Sequence, residues 1–206
     1  MPDLPNRQER EKRLAAAIFL LLSRQGKAFT SGTFDLASFE TAAAEASYPE
    51  LIATYEQAAR ELAKAQGTTL DAATLRAQAE EWADKTSQEL AAGMADTTKQ
   101  AIADAKAGGA TLAASALTIF GRSRADAIGA TETTGAISAG EQPAVAQYEI
   151  ETGNELEPIW QTEEDDAVCP ICRPFDGKPS EFWSDDFPNG PPGHPNCRCW
   201  LEWEPV

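Results

Sequence analysis

This chain is short of the groups that most protein chemistry relies on. Its 206 residues include one histidine, His194, with two methionines, three tyrosines and four cysteines. A single histidine excludes any mechanism that needs one histidine as a metal ligand and another as a base. Basic residues are scarce too: 17 Lys and Arg stand against 33 Asp and Glu, for a net charge of −16. That excludes the clustered cationic surface on which non-specific DNA binding depends. The first apolar run, Leu14 to Leu22, is far shorter than the ~20 residues of a membrane span. The charged start, M-P-D-L-P-N-R-Q-E-R, carries no secretory pattern.

What is present is unevenly placed. All four cysteines and the histidine lie near the C-terminus, as C-P-I-C from Cys169 to Cys172 and P-P-G-H-P-N-C-R-C from Pro191 to Cys199. From Glu141 to Val206 there are 15 acidic and 3 basic residues, a net of −12, so this segment carries most of the acidity. A C-x2-C pair can grip Zn²⁺ from a tight turn, and donors drawn from His194, Cys197 and Cys199 can close a tetrahedral site. The 21 residues between Cys172 and His194 make a loop of zinc-ribbon or treble-clef size. The alternatives are a disulfide framework, whose spacing in small secreted folds is different, or metal-free buried thiols.

Before this segment the sequence is alanine-rich and helical. Leu14, Ala17, Ile18, Leu21 and Leu22 recur at helical spacing, predicting a helix over Arg10 to Gln25 that Gly26 stops. A short helix is expected from Ser38, as N-cap, to Ala46. The next would start at Pro49 and end at Gly67, and another would run from an Asp71 cap to about Ala92, where Gly93 breaks or bends it. Thr97 to Ala107, Leu112 to Phe120 and Arg122 to about Ala139 complete the helices. Gly129 and Gly135 weaken the last of them by up to ~1 kcal/mol each. The alanine faces allow close packing but bury little area, which describes a lean bundle or stalk.

After Gln142-Pro143 the character changes. Glu157 to Thr162 and Cys199 to Glu204 read as strands that pair antiparallel, with a proline- and glycine-rich excursion between them. Asp176-Gly177 is a hairpin-turn signal. Trp160, Trp183, Trp200, Trp203, Phe175, Phe182 and Phe187 are the expected small core, and a module this small needs a structural metal. The fold class is therefore α+β: a mostly helical N-terminal body with a small C-terminal antiparallel β-hairpin, zinc-stapled module. The expected division is residues 1–110 as an alanine-rich helical region and 111–206 as a second domain, with helices over 111–142 and the β-module over 157–206.

Two strings carry a resemblance. D-D-A-V-C-P-I-C-R-P-F-D-G-K from Asp165 to Lys178, with P-P-G-H-P-N-C-R-C, resembles the phage Mu F-like minor head proteins, the phage head morphogenesis family. Upstream, R-A-D-A-I-G-A-T-E-T from Arg124 to Thr133 is similar to that family's R-x3-I-A-x-T-E-T segment, with Gly129 where alanine is commoner. The resemblance covers about Leu112 to Val206. It implies a minor virion protein made in the bacterial host cytoplasm and resident in the phage head in several copies, with the portal, capsid or scaffold proteins as partners. It would act in head assembly, DNA packaging or ejection. Val206 follows the motif too soon for the toxin or enzymatic modules fused to some relatives.

Five candidate donors exceed four positions. The preferred set is Cys169, Cys172, His194 and Cys197, with Cys199 as the spare or substitute. Cys197 and Cys199 share a face if extended, so Arg198 points the other way, toward Asp165 or Asp166. Glu132 would lock helix to hairpin through Arg173 or Arg198, and Arg124 is the other expected structural contact. The acidic run Glu163 to Asp166 reads as a solvated turn. Two other function classes remain: a zinc-dependent nuclease-like enzyme, which the histidine count disfavours, and a generic zinc-ribbon adaptor for protein partners.

Overall fold

A computed structural model of the chain describes residues 4–109, 111–163 and 169–206, the side chain of Leu112 excepted. The class is α+β. Five helices, α1 (Arg7–Ser31), α2 (Leu36–Gln66), α3 (Ala72–Ala107), α4 (Leu112–Ile119) and α5 (Arg122–Thr152), precede a small sheet of β1 (Leu156–Gln161), β2 (Lys178–Pro179) and β3 (Trp200–Pro205). The sheet is antiparallel in the order β2-β1-β3. The expected pairing of the two long strands is present, with Trp160 opposite Leu201 and Gln161 opposite Trp200, and the short β2 adds a third strand.

The helices are longer than their glycines and prolines suggest. α1 runs through Gly26 and ends at Gly32, whose φ of +77° lets its N–H reach back to the Ala28 and Phe29 carbonyls. Gly26 is a close-approach site instead: a Cβ there would meet Phe120 Cβ at 3.2 Å. Phe29, beyond it, is buried among Phe34 and Phe120, and that burial outweighs the weak helix propensity of one glycine. The α2 cap lies three residues before the expected one: Asp35 is the N-cap, and its carboxylate accepts from Ser38 N–H at 2.8 Å. Pro49 lies inside α2 and does not start a new helix. Ser47, Leu51 and Ile52 are buried around it, so packing on both sides carries the helix past the missing donor. α3 likewise continues through Gly93, flanked by buried Ala91, Met94 and Ala95. The Asp71 cap is as expected, accepting from Thr74 N–H at 2.8 Å.

α5 differs most from its expected span. It passes Ala139 and Pro143 and ends at Gly153. Pro143 removes the hydrogen bond its N–H would give to Ala139, but Ala144 and Val145 beyond it are buried in the apolar cluster of the C-terminal module. α5 is thus shared: its first half packs on α1 and α2, and its last turns floor the sheet. Small residues permit this. A Cβ on Gly140 would sit 2.4 Å from the Tyr55 carbonyl oxygen of α2, and one on Gly129 would sit 2.8 Å from both Ala15 Cβ and the Glu11 carbonyl oxygen of α1. Glycine rather than alanine at 129 therefore has a packing reason in this chain.

The C-terminal module is built around Trp160, which is fully buried. Its ring centroid lies 5.5 Å from those of Trp183 and Phe187 and 5.7 Å from that of Phe175. Trp203 is buried toward α5, where its Nε1–H donates to Glu141 Oε2 at 2.9 Å. Phe182 is not in this core: it is 56% exposed, with Lys178 Nζ 5.4 Å from its ring centroid. Asp176-Gly177 does not close a tight hairpin. Asp176 Oδ1 accepts from Thr162 N–H and Oγ1–H, both at 2.8 Å, and Gly177, at φ +66°, leads the chain into β2.

Candidate metal centre

Two turns bring the donors together. The first is the knuckle at Cys169–Cys172. Arg173 N–H donates to the Cys169 carbonyl at 3.1 Å, and Cys172 N–H points at Cys169 Sγ at 3.4 Å. Such N–H groups offset thiolate charge. The second is His194–Cys197, closed by Cys197 N–H on the His194 carbonyl at 3.1 Å, with Asn196 in the left-handed region at φ +62°. Asparagine tolerates that conformation better than most residues. Gly193 lets the second turn approach the first, since a Cβ there would lie 3.3 Å from the Phe187 ring and 3.6 Å from Cys172 Sγ.

All five sequence candidates converge, as two triads that share Cys172. Cys169, Cys172 and His194 form one, and Cys172, Cys197 and Cys199 the other; within each, the donor atoms lie within 4.8 Å of one another. Cys172, Cys197 and Cys199 are buried and Cys169 is half-buried. Cys172 Sγ and Cys197 Sγ are 3.8 Å apart, the separation of about 3.8 Å that two thiolates take on one tetrahedral zinc. His194 Nδ1 lies 2.7 Å from the Pro195 carbonyl, which can only accept, so Nδ1 carries the proton and Nε2 keeps its lone pair. That lone pair faces Cys169 Sγ at 2.8 Å. This is a hydrogen-bond distance, and the pair would open by somewhat under ~1 Å around a tetrahedral ion.

A cavity of about 30 Å³ adjoins the donors, lined by Cys169, Cys172, His194 and Cys199 together with Thr162 and Arg198. That is room for one small ion. The electrostatics ask for a cation. Hydrogen bonds from the Cys172 and Cys199 thiols hold Cys197 far below the ordinary thiol range, and the same contact with Cys197 pushes Cys172 up. A buried thiolate without a counter-charge is costly. The Trp160 indole N–H is also buried with no acceptor among the described residues. The donor set, the cavity and the orphaned indole donor all fit a bound soft or borderline divalent metal.

Arg198, between the two last cysteines, presents its carbonyl to Arg7 and is among the residues lining the small cavity. Asp165 and Asp166, its expected partners, lie outside the described residues, as does Glu164 of the acidic run. Arg124 sits in the helical bundle, not at the module. Its Nη1 donates to Thr98 Oγ1 at 2.8 Å and the Ile119 carbonyl at 2.9 Å, and its Nη2 to the Met94 carbonyl at 2.9 Å and Thr97 Oγ1 at 2.7 Å. It ties α3 to the α4–α5 corner, and burial lowers its pKa. Glu132 is half-buried on α5 and forms no ion pair with Arg173 or Arg198 among the described residues. Burial raises its carboxyl to about 7.

The raised Glu132 value sets a pH dependence. The native state holds this proton between pH 4.5 and about 7, where the unfolded chain has released it, so stability falls as pH rises through that window and levels above it. Glu132→Gln is expected to flatten that slope and to stabilise the protein at pH 8 by on the order of 1 kcal/mol, allowing for solvent screening at a half-buried site. Urea unfolding at pH 5 and pH 8 measures both.

The helix-to-module contact runs instead through threonines beside Glu132. Thr131 Oγ1 accepts from Asn196 N–H at 2.9 Å, and Thr134 Oγ1–H reaches the Cys197 carbonyl at 2.6 Å. The T-E-T-T run was visible in the sequence, but its direction toward the ligand loop was not. Glu141 and Arg7, both buried, were missed altogether; nothing in their local sequence marks them.

No helix among the described residues is long and apolar enough to cross a membrane. Comparison with curated proteins and with solved structures gives no match. A family model does match: that of Phage Mu protein F like proteins, over residues 43–202. The match starts inside α2, well before the Leu112 at which the resemblance begins, and takes in α3, α4 and α5 as well as the cysteine module. The chain is a member of the Phage Mu protein F-like family, a family of structural phage head proteins.

Proposed function

We propose that this protein is a minor head protein of a tailed bacteriophage. In this reading it docks on the portal or inner capsid during head morphogenesis and remains in the virion. The observation that carries it is the family match over 160 residues, from 43 to 202, which takes in most of the bundle together with the module. One structural zinc ion closes the module, held by Cys169, Cys172, His194 and Cys197, with Cys199 as the alternative fourth thiolate. Five donors around a four-coordinate ion leave no open position for substrate or water, which supports a structural and non-enzymatic site. The excess of acidic residues suits a basic partner surface and disfavours contact with packaged DNA.

The test is made in the phage. Purified heads should contain the protein, and the protein should co-purify with portal rings. Its absence from assembled particles would contradict the proposal.

A further inference from the structure

The first turn of α1 lies outside residues 43–202, the span the family match covers. It nevertheless reaches the ligand loop. Arg7 is 4% exposed, and an arginine so buried must have its donors satisfied. Nη1 donates to the Arg198 carbonyl at 2.9 Å and approaches that of Cys199 at 3.4 Å. Nη2 donates to Thr134 Oγ1 and approaches the Cys197 carbonyl at 3.4 Å. Nε pairs with Glu11 at 3.0 Å. One guanidinium therefore meets three consecutive backbone carbonyls, two of which belong to candidate ligands.

The segment around Arg7 is itself fixed. Leu4 is buried in a small cluster with Ala58 and Ile137. Gln57 of α2 donates to the Pro5 carbonyl at 3.1 Å and accepts from Arg10 Nε at 2.7 Å. Asn6, at φ +66°, turns the chain so that α1 begins at Arg7. Thr134 completes the set, because its hydroxyl accepts from Arg7 and donates to the Cys197 carbonyl.

We propose that Arg7 is a positioning residue for the metal centre: its planar fork holds the carbonyls of Cys197, Arg198 and Cys199 so that the loop presents its thiol at the geometry the ion requires. Lysine, a point donor, cannot span three carbonyls in this way. The inference rests on the zinc reading above. Groups that orient ligands typically carry a 10–100-fold share of metal affinity.

The test uses the full chain and zinc itself. Zinc affinity is measured by competition with a chromophoric chelator, and ligand geometry by the visible d–d bands of the Co²⁺-substituted protein. Arg7→Met is expected to weaken zinc binding 10–100-fold and to shift or broaden the Co²⁺ bands, with Arg7→Lys recovering only part. Arg13→Met, which breaks an exposed pair with Glu9, should change neither. A folded Arg7→Met protein with wild-type affinity and an unaltered Co²⁺ spectrum would overturn the inference alone. If Arg7→Met does not fold, Thr134→Val decides: weakened affinity supports the proposal, and wild-type affinity overturns it. Wild-type protein that takes up no zinc would overturn the zinc reading, and this inference with it.

Discussion

Removing the metal with a strong chelator is expected to unfold the C-terminal module and the end of α5 while the bundle stays folded. The module has few apolar groups beyond Trp160 and its ring neighbours, Leu156, Leu201 and Trp203. Structural zinc supplies roughly 10–16 kcal/mol in small zinc domains, far more than such a core provides. The boundary should not fall at β1. Ala144 and Val145 of α5 are buried against the module, and Pro143 leaves the helix weakest just before them. Hydrogen exchange followed by mass spectrometry should show protection lost over residues 143–163 and 169–205 on chelation. The helix cores around Ile18, Leu22, Phe39 and Leu51 should remain protected. Unchanged exchange over 156–163 and 169–205 would contradict the clasp.

Trp160→Ala is expected to destabilise the module by about 3–5 kcal/mol, the usual cost of emptying a fully buried tryptophan site. The cavity would open between Trp183, Phe175 and Phe187, which all pack on this ring. Trp160→Phe should recover most of the packing. Urea unfolding followed by far-ultraviolet circular dichroism measures the stability of each variant. A loss below about 1 kcal/mol for alanine would show that Trp160 is not the module's keystone.

The places where sequence and structure diverge share a physical cause. Gly26, Gly93, Pro49 and Pro143 each signal a stop locally, yet each lies inside a helix whose buried residues continue on both sides. Tertiary packing outweighs a local preference of ~1 kcal/mol for glycine, and for proline a larger one. The donor cluster was legible because its chemistry is local: C-x2-C and H-x2-C-x-C fix which atoms can meet. The two-strand pairing was legible from the alternation of Trp160 and of Leu201 and Trp203. Three features were not. The two residues of β2 are too few to show a pattern. The outward turn of Phe182 depends on a short helical turn over Ser180–Phe182. Arg7 acts across 190 or more residues of chain, and no local spacing records a contact at that range.

Glu132 is a more instructive difference. The T-E-T string drew attention to its acid, but the hydrogen bonds to the ligand loop come from Thr131 and Thr134. A charged group in that position would have needed a buried partner to offset its desolvation. Neutral hydroxyls satisfy loop N–H and carbonyl groups without that cost, one accepting and one donating.

Metal content tests the zinc clasp most directly. Reduced protein, purified without chelator or added metal and analysed by inductively coupled plasma mass spectrometry, should contain one zinc per chain. Substituting Cys169 and His194 together should abolish it. Freshly prepared reduced protein with all five donors intact and no bound metal would contradict the central claim.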